Sequence, residues 1–203
     1  ATTTHHKKAT TTHHKKATTT HHKKATTTTK ATKKATTKPT TKATTTTTAK
    51  PTATPKMGQT AVILNATDYC IFLPPKYGGD IAANEDRAVA FCTKPNLPGA
   101  PNAQVLPAGF IKSSHYLVNN QKGYVQITGR IDRSKYGLSP KDGGGQYDLR
   151  APVGSKMNGY NAFVQLTEPD AQIFCIRACM TKADCPVNKS TYGCEKVLGG
   201  DYS

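Results

Sequence analysis

The sequence predicts an all-β fold: a compact, disulfide-bonded β-barrel or sandwich preceded by a disordered low-complexity tail. Three observations lead there. The 203-residue chain changes composition abruptly after residue 56. All six cysteines fall beyond that point. The apolar runs beyond it are short, several alternate with period two, and most end at Pro, Gly or Asn.

Residues 1–56 use five residue types only: 25 Thr, 13 Lys, 9 Ala, 6 His and 3 Pro. The first 24 residues are three copies of Ala-Thr-Thr-Thr-His-His-Lys-Lys, after which the pattern decays into shorter units that each end in Lys. No unit offers a side chain that could build a core. Burial therefore cannot offset a backbone ordering cost of roughly 1–2 kcal/mol per residue. Thr runs disfavour helix, and repulsion between lysines opposes compaction. Repeats without an apolar face have nothing to stack, so the eight-residue period does not announce a solenoid. The segment is expected to be extended and disordered.

Charge follows the same division. The whole chain carries +16. Thirteen lysines and no acidic residue give the tail +13, whereas fifteen basic and twelve acidic residues leave residues 57–203 at +3. A uniformly basic nucleic-acid-binding domain is thereby excluded. No apolar run approaches the roughly 18 residues of a membrane span.

Residues 57–203 are long enough to bury an independent core. Their cysteines are Cys70, Cys92, Cys175, Cys179, Cys185 and Cys194. An even count in two clusters without a Cys-x-x-Cys pair favours disulfides over zinc. Six cysteines allow many pairings; proximity along the chain favours Cys70–Cys92, Cys175–Cys194 and Cys179–Cys185, and spacing alone does not remove the others. Asn65-Ala-Thr67 and Asn188-Lys-Ser190 are N-glycosylation acceptors. Cysteines, acceptors and a Thr-rich stalk together point to an oxidising, extracellular setting. The chain begins at Ala1 without an apolar leader, as expected once a signal peptide has been removed.

Strands are expected at Ala61–Leu64, Tyr69–Leu73 and Ala88–Cys92. A hairpin is expected from Gly109–Val118 and Gly123–Asp132, turning at Asn119–Lys122. Asn161–Thr167 and Gln172–Met180 complete the set, separated by Glu168-Pro169-Asp170. In the hairpin's second run, Tyr124, Gln126, Thr128 and Arg130 alternate with Val125, Ile127, Gly129 and Ile131, which places one set inward and the other outward. Seven to nine short strands follow from this reading.

Three kinds of chemistry can be sought in these residues. The pairs His5-His6, His13-His14 and His21-His22 could gather around a zinc, copper or nickel ion, weakly, because a flexible chain loses entropy each time it closes. With a pKa of about 6.5, they would also raise the tail's charge in acid. Polysaccharide hydrolysis would need two carboxylates across a cleft; Asp132, Asp148, Glu168 and Asp170 are the candidates, although turn-capping is the commoner role for acids in β loops. Tyr77, Tyr116, Tyr124, Tyr136, Tyr147 and Tyr160 could stack on sugar rings, but Trp is absent and most should lie at core edges with a wet hydroxyl. His115 follows Ser113-Ser114, yet the Gly-x-Ser-x-Gly nucleophile elbow is missing. Gly143-Gly144-Gly145 lacks the Lys-Ser/Thr of a phosphate loop. No catalytic residue is nominated and no cofactor is expected beyond weak zinc or copper in the tail.

Five stretches carry a family resemblance: Ile81-Ala-Ala-Asn-Glu-Asp-Arg-Ala-Val-Ala-Phe-Cys92, Gly123-Tyr-Val-Gln-Ile-Thr-Gly-Arg-Ile-Asp132, Gly144-Gly145-x-Tyr147-Asp148, Phe174-Cys-Ile-Arg-Ala-Cys179 and Tyr192-Gly-Cys-Glu195. In this order and spacing, residues 60–203 resemble secreted fungal proteins labelled macrophage-activating glycoproteins. The resemblance implies a secreted, glycosylated, Ser/Thr-rich protein of the fungal exterior, and supplies no catalytic residues. In that group the Ser/Thr-rich part follows the domain; here it precedes it. The expected function is that of a non-enzymatic glycoprotein of the fungal exterior or cell wall. Its cationic tail would bind acidic or phosphorylated glycans, cell-wall polysaccharide or other polyanions through many salt-sensitive contacts.

Overall fold

The computed structural model describes residues 58–203; the repeat tail, and the expectations placed on it, lie outside the described residues. The fold is all-β. Its strands are β1 (Thr60–Ala61), β2 (Cys70–Leu73), β3 (Val89–Cys92), β4 (Gln104–Val105), β5 (His115–Asn119), β6 (Tyr124–Arg130), β7 (Gly145–Asp148), β8 (Lys156–Met157), β9 (Ala162–Glu168) and β10 (Ile173–Cys179). One short helix, α1 (Gly193–Val197), follows them.

Five strands form an antiparallel sheet in the order β5-β6-β10-β9-β7. A three-stranded sheet, β2-β3-β4, stacks on one of its faces. β1 and β8 pair in parallel. The two sheets meet through aromatic side chains: Phe72 of β2 stacks on Phe163 of β9 at 5.1 Å, and Tyr69 on Phe174 of β10 at 6.1 Å. Each of the three phenylalanines is fully buried, which stabilises the fold by roughly 1.5–3 kcal/mol apiece.

A polar side chain also crosses this interface. Gln165, with no exposed surface, accepts the Phe72 N–H at 2.7 Å and donates back to the Phe72 carbonyl at 2.7 Å. Its Nε2 further donates to Thr167 Oγ1 at 3.0 Å. The glutamine amide thus stands in for a neighbouring strand and satisfies both backbone groups of a residue that would otherwise be orphaned in the core.

The other face of the large sheet is covered by the chain's end. Cys175–Cys194 ties β10 to α1, and Cys179–Cys185 ties the end of β10 to the loop after it. The third disulfide, Cys70–Cys92, joins directly opposed residues of β2 and β3. Residues 198–201 then run across the sheet and are held by its polar side chains. Gln126 Nε2 donates to the Gly199 carbonyl at 3.2 Å and Thr128 Oγ1 to the Asp201 carbonyl at 2.7 Å. Arg177 donates to Gln126 Oε1, the Asp184 carbonyl and the Leu198 carbonyl at 2.8–3.0 Å. Its guanidinium also lies 4.2 Å from the Tyr124 ring centroid.

Three sequence expectations change here. The strand expected at Ala61–Leu64 is Thr60–Ala61, followed by a single bridge from Ile63 to Tyr69. The alternation in β6 predicts one wet face, yet Gln126 and Thr128 are only 2% and 1% exposed. They sit beneath the C-terminal strap, whose carbonyls they satisfy. The strand expected over Gly109–Val118 begins only at His115. Before it, the Lys112 and Ser113 N–H groups both point to the Arg130 carbonyl, at 2.8 and 3.4 Å, and the Arg130 N–H turns to Ser113 Oγ at 3.0 Å. This is a bulge. It lays the Ser113 carbonyl over Gly129, where a Cβ would collide with it, so β6 needs glycine at that point.

Candidate functional site

On its strap-covered face the large sheet ends at edge strand β7, and the even-numbered residues of β7 and β9 share that face. Gln146 is opposite Leu166 and Asp148 opposite Val164, with Glu168 at the end of β9. The face is dry near α1 and becomes polar at its rim. A cleft of about 510 Å³ opens there. Its floor is Gln146. Glu168 and Gly193 form one side, Glu85 and Ala82 another, and Arg150 and Val187 close it toward a smaller recess of about 160 Å³.

Local sequence explains the shape. Gly143-Gly144-Gly145 leads into β7 without side chains. Gly144 takes φ +87°, and a Cβ there would strike the Thr167 carbonyl. Gly193 takes φ +73°, with Glu168 occupying the space a side chain would need. Beyond the glycines, Tyr147 turns into the core, where its hydroxyl donates to the Ile81 carbonyl at 2.8 Å. That fixes its neighbours Gln146 and Asp148 on the opposite face.

The groups lining the cleft form one network. Asp148, 3% exposed, accepts the Arg150 N–H at 2.7 Å and the guanidinium at 2.9 and 3.2 Å. Burial pushes its carboxyl up, but the Arg150 and Gln146 bonds outweigh that effect and hold it below its ordinary value. Arg150 also donates to the Val187 carbonyl at 3.1 Å. Gln146 Nε2 donates to Asp148 at 3.0 Å and to the Val187 carbonyl at 2.8 Å, while its Oε1 is buried and without a donor. Glu168, half-buried, accepts the Cys194 N–H at 3.0 Å. Burial raises its carboxyl; the Cys194 bond opposes this, and neighbouring Asp170 and Glu195 add to it.

The four carboxylates considered for polysaccharide hydrolysis have separate occupations. Asp132 caps a turn of 3-10 helix by accepting the Ser134 N–H at 3.0 Å, and the Ser134 hydroxyl holds its carboxyl below the usual range. Asp170 accepts the Ala171 N–H at 2.7 Å. Asp148 and Glu168 share the sheet face, but Asp148 is opposite Val164 and Glu168 lies four positions further along β9. That offset is about 13 Å along the strand, and each carboxylate is held by its own partners, Asp148 by Arg150 and Gln146 and Glu168 by the Cys194 N–H. Ser114 is engaged by the Tyr69 hydroxyl at 2.5 Å and Ser113 by Arg130. His115 instead faces the chain end, with Nδ1 3.4 Å from Asp201 and Nε2 3.2 Å from the Ser203 carbonyl.

Among the tyrosines, Tyr136 and Tyr147 are buried, while Tyr77 is exposed and packs edge-to-face on Tyr136 at 5.7 Å. None of them lines the polar cleft. Asn65 and Asn188 are both exposed. Asn65 Oδ1 accepts the Thr67 and Asp68 N–H groups at 2.8 and 2.9 Å, in an open loop ahead of β2. The six tail histidines lie outside the described residues. Among the described residues, no three His, Cys, Asp or Glu side chains are grouped to hold a metal ion, and no helix is long and apolar enough to cross a membrane. Sequence reasoning missed Gln146 and Glu85 as site residues. The available signal was the switch from three glycines to Gln-Tyr-Asp, a polar–aromatic–polar alternation that marks a strand with one polar face.

Comparison with known proteins finds similarity to two fungal proteins. The chain is 28% identical over 163 residues to "Appressorium protein ROW1" of Mycosarcoma maydis, covering 71% of this chain and 37% of that protein. It is 30% identical over 99 residues to "Appressorium protein ROW2" of the same organism, covering 48% of this chain and 32% of that protein. The chain therefore spans about a third of the length of these curated relatives. The fungal part of the sequence resemblance thus stands; neither of these two relatives bears the macrophage-activating name. No family model matches the chain, and no solved structure matches it.

Proposed function

We propose that the chain is a secreted, non-enzymatic glycoprotein of the fungal exterior or cell wall, in which a cationic arm holds a disulfide-bonded β domain on acidic or phosphorylated glycans. The observation that carries this reading is the separation of charge from fold: thirteen lysines and no acid in residues 1–56, against +3 in residues 57–203. A polymer of that composition attracts polyanions through many individually weak contacts without requiring a shaped site. Three disulfides in one small domain suit an oxidising compartment. The exposed acceptors Asn65 and Asn188 are open to glycosylation. Both relatives are named for the appressorium, and we carry that setting over. The five stretches that resemble the macrophage-activating group agree with the same placement.

The test replaces the thirteen tail lysines by glutamine in the full chain and follows retention on isolated fungal wall through a salt series. Wild type is expected to elute progressively between about 0.1 and 1 M salt, where screening shortens from roughly 10 to 3 Å, and the glutamine variant at the lowest salt. Equal retention of the two overturns the reading. A second reading rests on the three His-His pairs at an eight-residue period: weak capture of zinc, copper or nickel by several imidazoles. Calorimetric titration of the full chain with zinc or copper tests it, and the absence of saturable binding ends it.

A further inference from the structure

We infer that two copies of this chain join edge to edge through β5, antiparallel about a two-fold axis at Leu117, so that the five-stranded sheet continues from one copy into the next. The inference starts from the two edges of that sheet. At one edge, three of the four β7 residues are buried. At the other, among the described residues, β5 pairs with β6 alone. Its three central residues, Tyr116, Leu117 and Val118, are 36%, 48% and 46% exposed. The other exposed large apolar side chains of the described residues stand singly in the sequence, and single ones are ordinary. In an antiparallel pair, alternate residues turn N–H and C=O toward the neighbour, so the outer side of β5 keeps a row of these groups for a further strand. Natural edges are blunted by lysine, proline, inward charges or a bulge. His115-Tyr-Leu-Val-Asn119 contains no lysine, acid or proline, and the bulge at Lys112 and Ser113 lies ahead of the strand.

A second copy of β5 is the strand this edge matches. About an axis at Leu117, Leu117 meets the partner's Leu117, Tyr116 meets the partner's Val118, and His115 meets the partner's Asn119. Each apolar residue of the strand then faces an apolar residue, and no lysine, arginine or acid falls within the paired stretch. Aromatic against β-branched is a favourable cross-strand pair. The register sets odd positions against odd and even against even, so outward-turned backbone groups meet outward-turned groups. It also sets the partner's Tyr116 beside the recess of about 230 Å³ lined by Val118, Val125 and Tyr160. The chain's own arm offers no such match, because residues 1–56 contain only Thr, Lys, Ala, His and Pro.

Size sets the strength of the pair. A five-residue strand is about 17 Å long. Two such edges and their six apolar side chains bury less than the roughly 1,200 Å² at which stable complexes begin, so the pair is reversible. It is isologous, the commonest form of oligomer. Each chain carries +16, so the copies repel at low salt and screening tightens the pair. A pair carries two cationic arms, which adds avidity for a polyanion without a new contact.

The experiment is sedimentation equilibrium of the full chain from about 1 μM to 1 mM, with no polyanion present, so that failure here leaves the wall-retention reading untouched. A monomer–dimer equilibrium is expected, tighter at about 0.15 M than at about 0.01 M salt. Leu117→Lys sets two like charges directly opposite each other at an exposed position. It is expected to weaken the dimer tenfold or more while leaving the circular dichroism of the domain unchanged. Introduced cysteines read the register. Leu117→Cys is expected to form an intermolecular disulfide on mild oxidation, because directly opposed Cα atoms lie about 4.5–5.5 Å apart, within the roughly 4.4–6.8 Å that a disulfide spans. Tyr116→Cys is expected not to, because diagonal neighbours are about 7–8 Å apart. A monomer at every concentration would leave the edge to the arm or to a foreign strand and overturn the proposal. Dimers that loosen as salt rises, full association of Leu117→Lys, or equal cross-linking of the two cysteine variants would each overturn it as well.

Discussion

Replacing Gln165 by leucine tests how the two sheets are held together. The substitution keeps the volume and removes three hydrogen bonds: two to the Phe72 backbone at 2.7 Å and one to Thr167 at 3.0 Å. The cost comes chiefly from what is left behind. Phe72 is fully buried, and its outward N–H and carbonyl would lose their partner with no water at hand, at roughly 1–3 kcal/mol each. Leucine recovers part of this through its greater apolarity, leaving an expected destabilisation of about 3–5 kcal/mol. Against a typical stability of about 5–15 kcal/mol, that is a large fraction. Urea unfolding followed by far-ultraviolet circular dichroism measures it as a lower midpoint at unchanged slope. Thr167→Val, which removes only the third bond, is expected to cost about 1 kcal/mol. A loss below about 1 kcal/mol for Gln165→Leu would refute the view that this amide replaces a missing strand neighbour.

Four further outcomes are expected. Arg177→Met keeps much of the stem but removes the three bonds that gather Gln126, Asp184 and Leu198; it should cost about 2–4 kcal/mol and speed amide exchange over residues 198–203, and unchanged exchange there would contradict it. Glu168 binds its proton more tightly in the folded chain than in the unfolded one, so its contribution is present below its unfolded pKa of about 4.3 and is lost as pH rises through the folded value. Glu168→Gln should therefore gain stability on wild type as denaturation is measured from about pH 4 toward neutrality, and a pH-independent difference would speak against it. Serine at both Cys70 and Cys92 opens a loop with a sequence separation of 22 and should cost roughly 3 kcal/mol in the chain-entropy account, read from the same urea curves; a loss under about 1 kcal/mol would contradict that account. Asn65→Gln and Asn188→Gln should each remove the mass of one glycan from the protein secreted by a fungal host, and an unaltered mass spectrum would remove that acceptor from consideration.

The parts of the fold legible in the sequence are those whose side chains contrast with their surroundings. Cys70–Leu73, Val89–Cys92, Tyr124–Arg130, Ala162–Glu168 and Ile173–Cys179 are strands, and each lies within an apolar or alternating run. Gln104–Val105 and Lys156–Met157 are two residues long and owe their pairing to segments far away in the chain, which no local pattern records; the apolar run Ala61–Leu64 marks the place of Thr60–Ala61 but not its bounds. Gly145–Asp148 is hidden for another reason: it opens on the last of three glycines, and at the sheet edge its outward residues, Gln146 and Asp148, build a polar cleft. The same physics explains why burial of Gln126 and Thr128 was not foreseen. A period-two pattern says that two faces differ, and the polar face here meets carbonyl oxygens of the strap instead of water. The cleft became visible only once Glu85, Gln146 and Glu168, which are far apart in sequence, were brought to one rim.

The way the strap is held has a consequence for how this domain can diverge. Gln126, Thr128, Arg130 and Arg177 all grip peptide oxygens of residues 198–202, and every amino acid offers such an oxygen. Substitutions at Asp201 should be accepted freely, whereas Leu198 is buried in the core, Gly199 takes φ +62°, and a methyl group on Gly200 would press on Thr128. Selection should bear instead on the four gripping side chains. Distant cousins could then differ at strap positions such as Asp201 and still close the sheet in the same manner, and alignments anchored on the gripping side chains would find them.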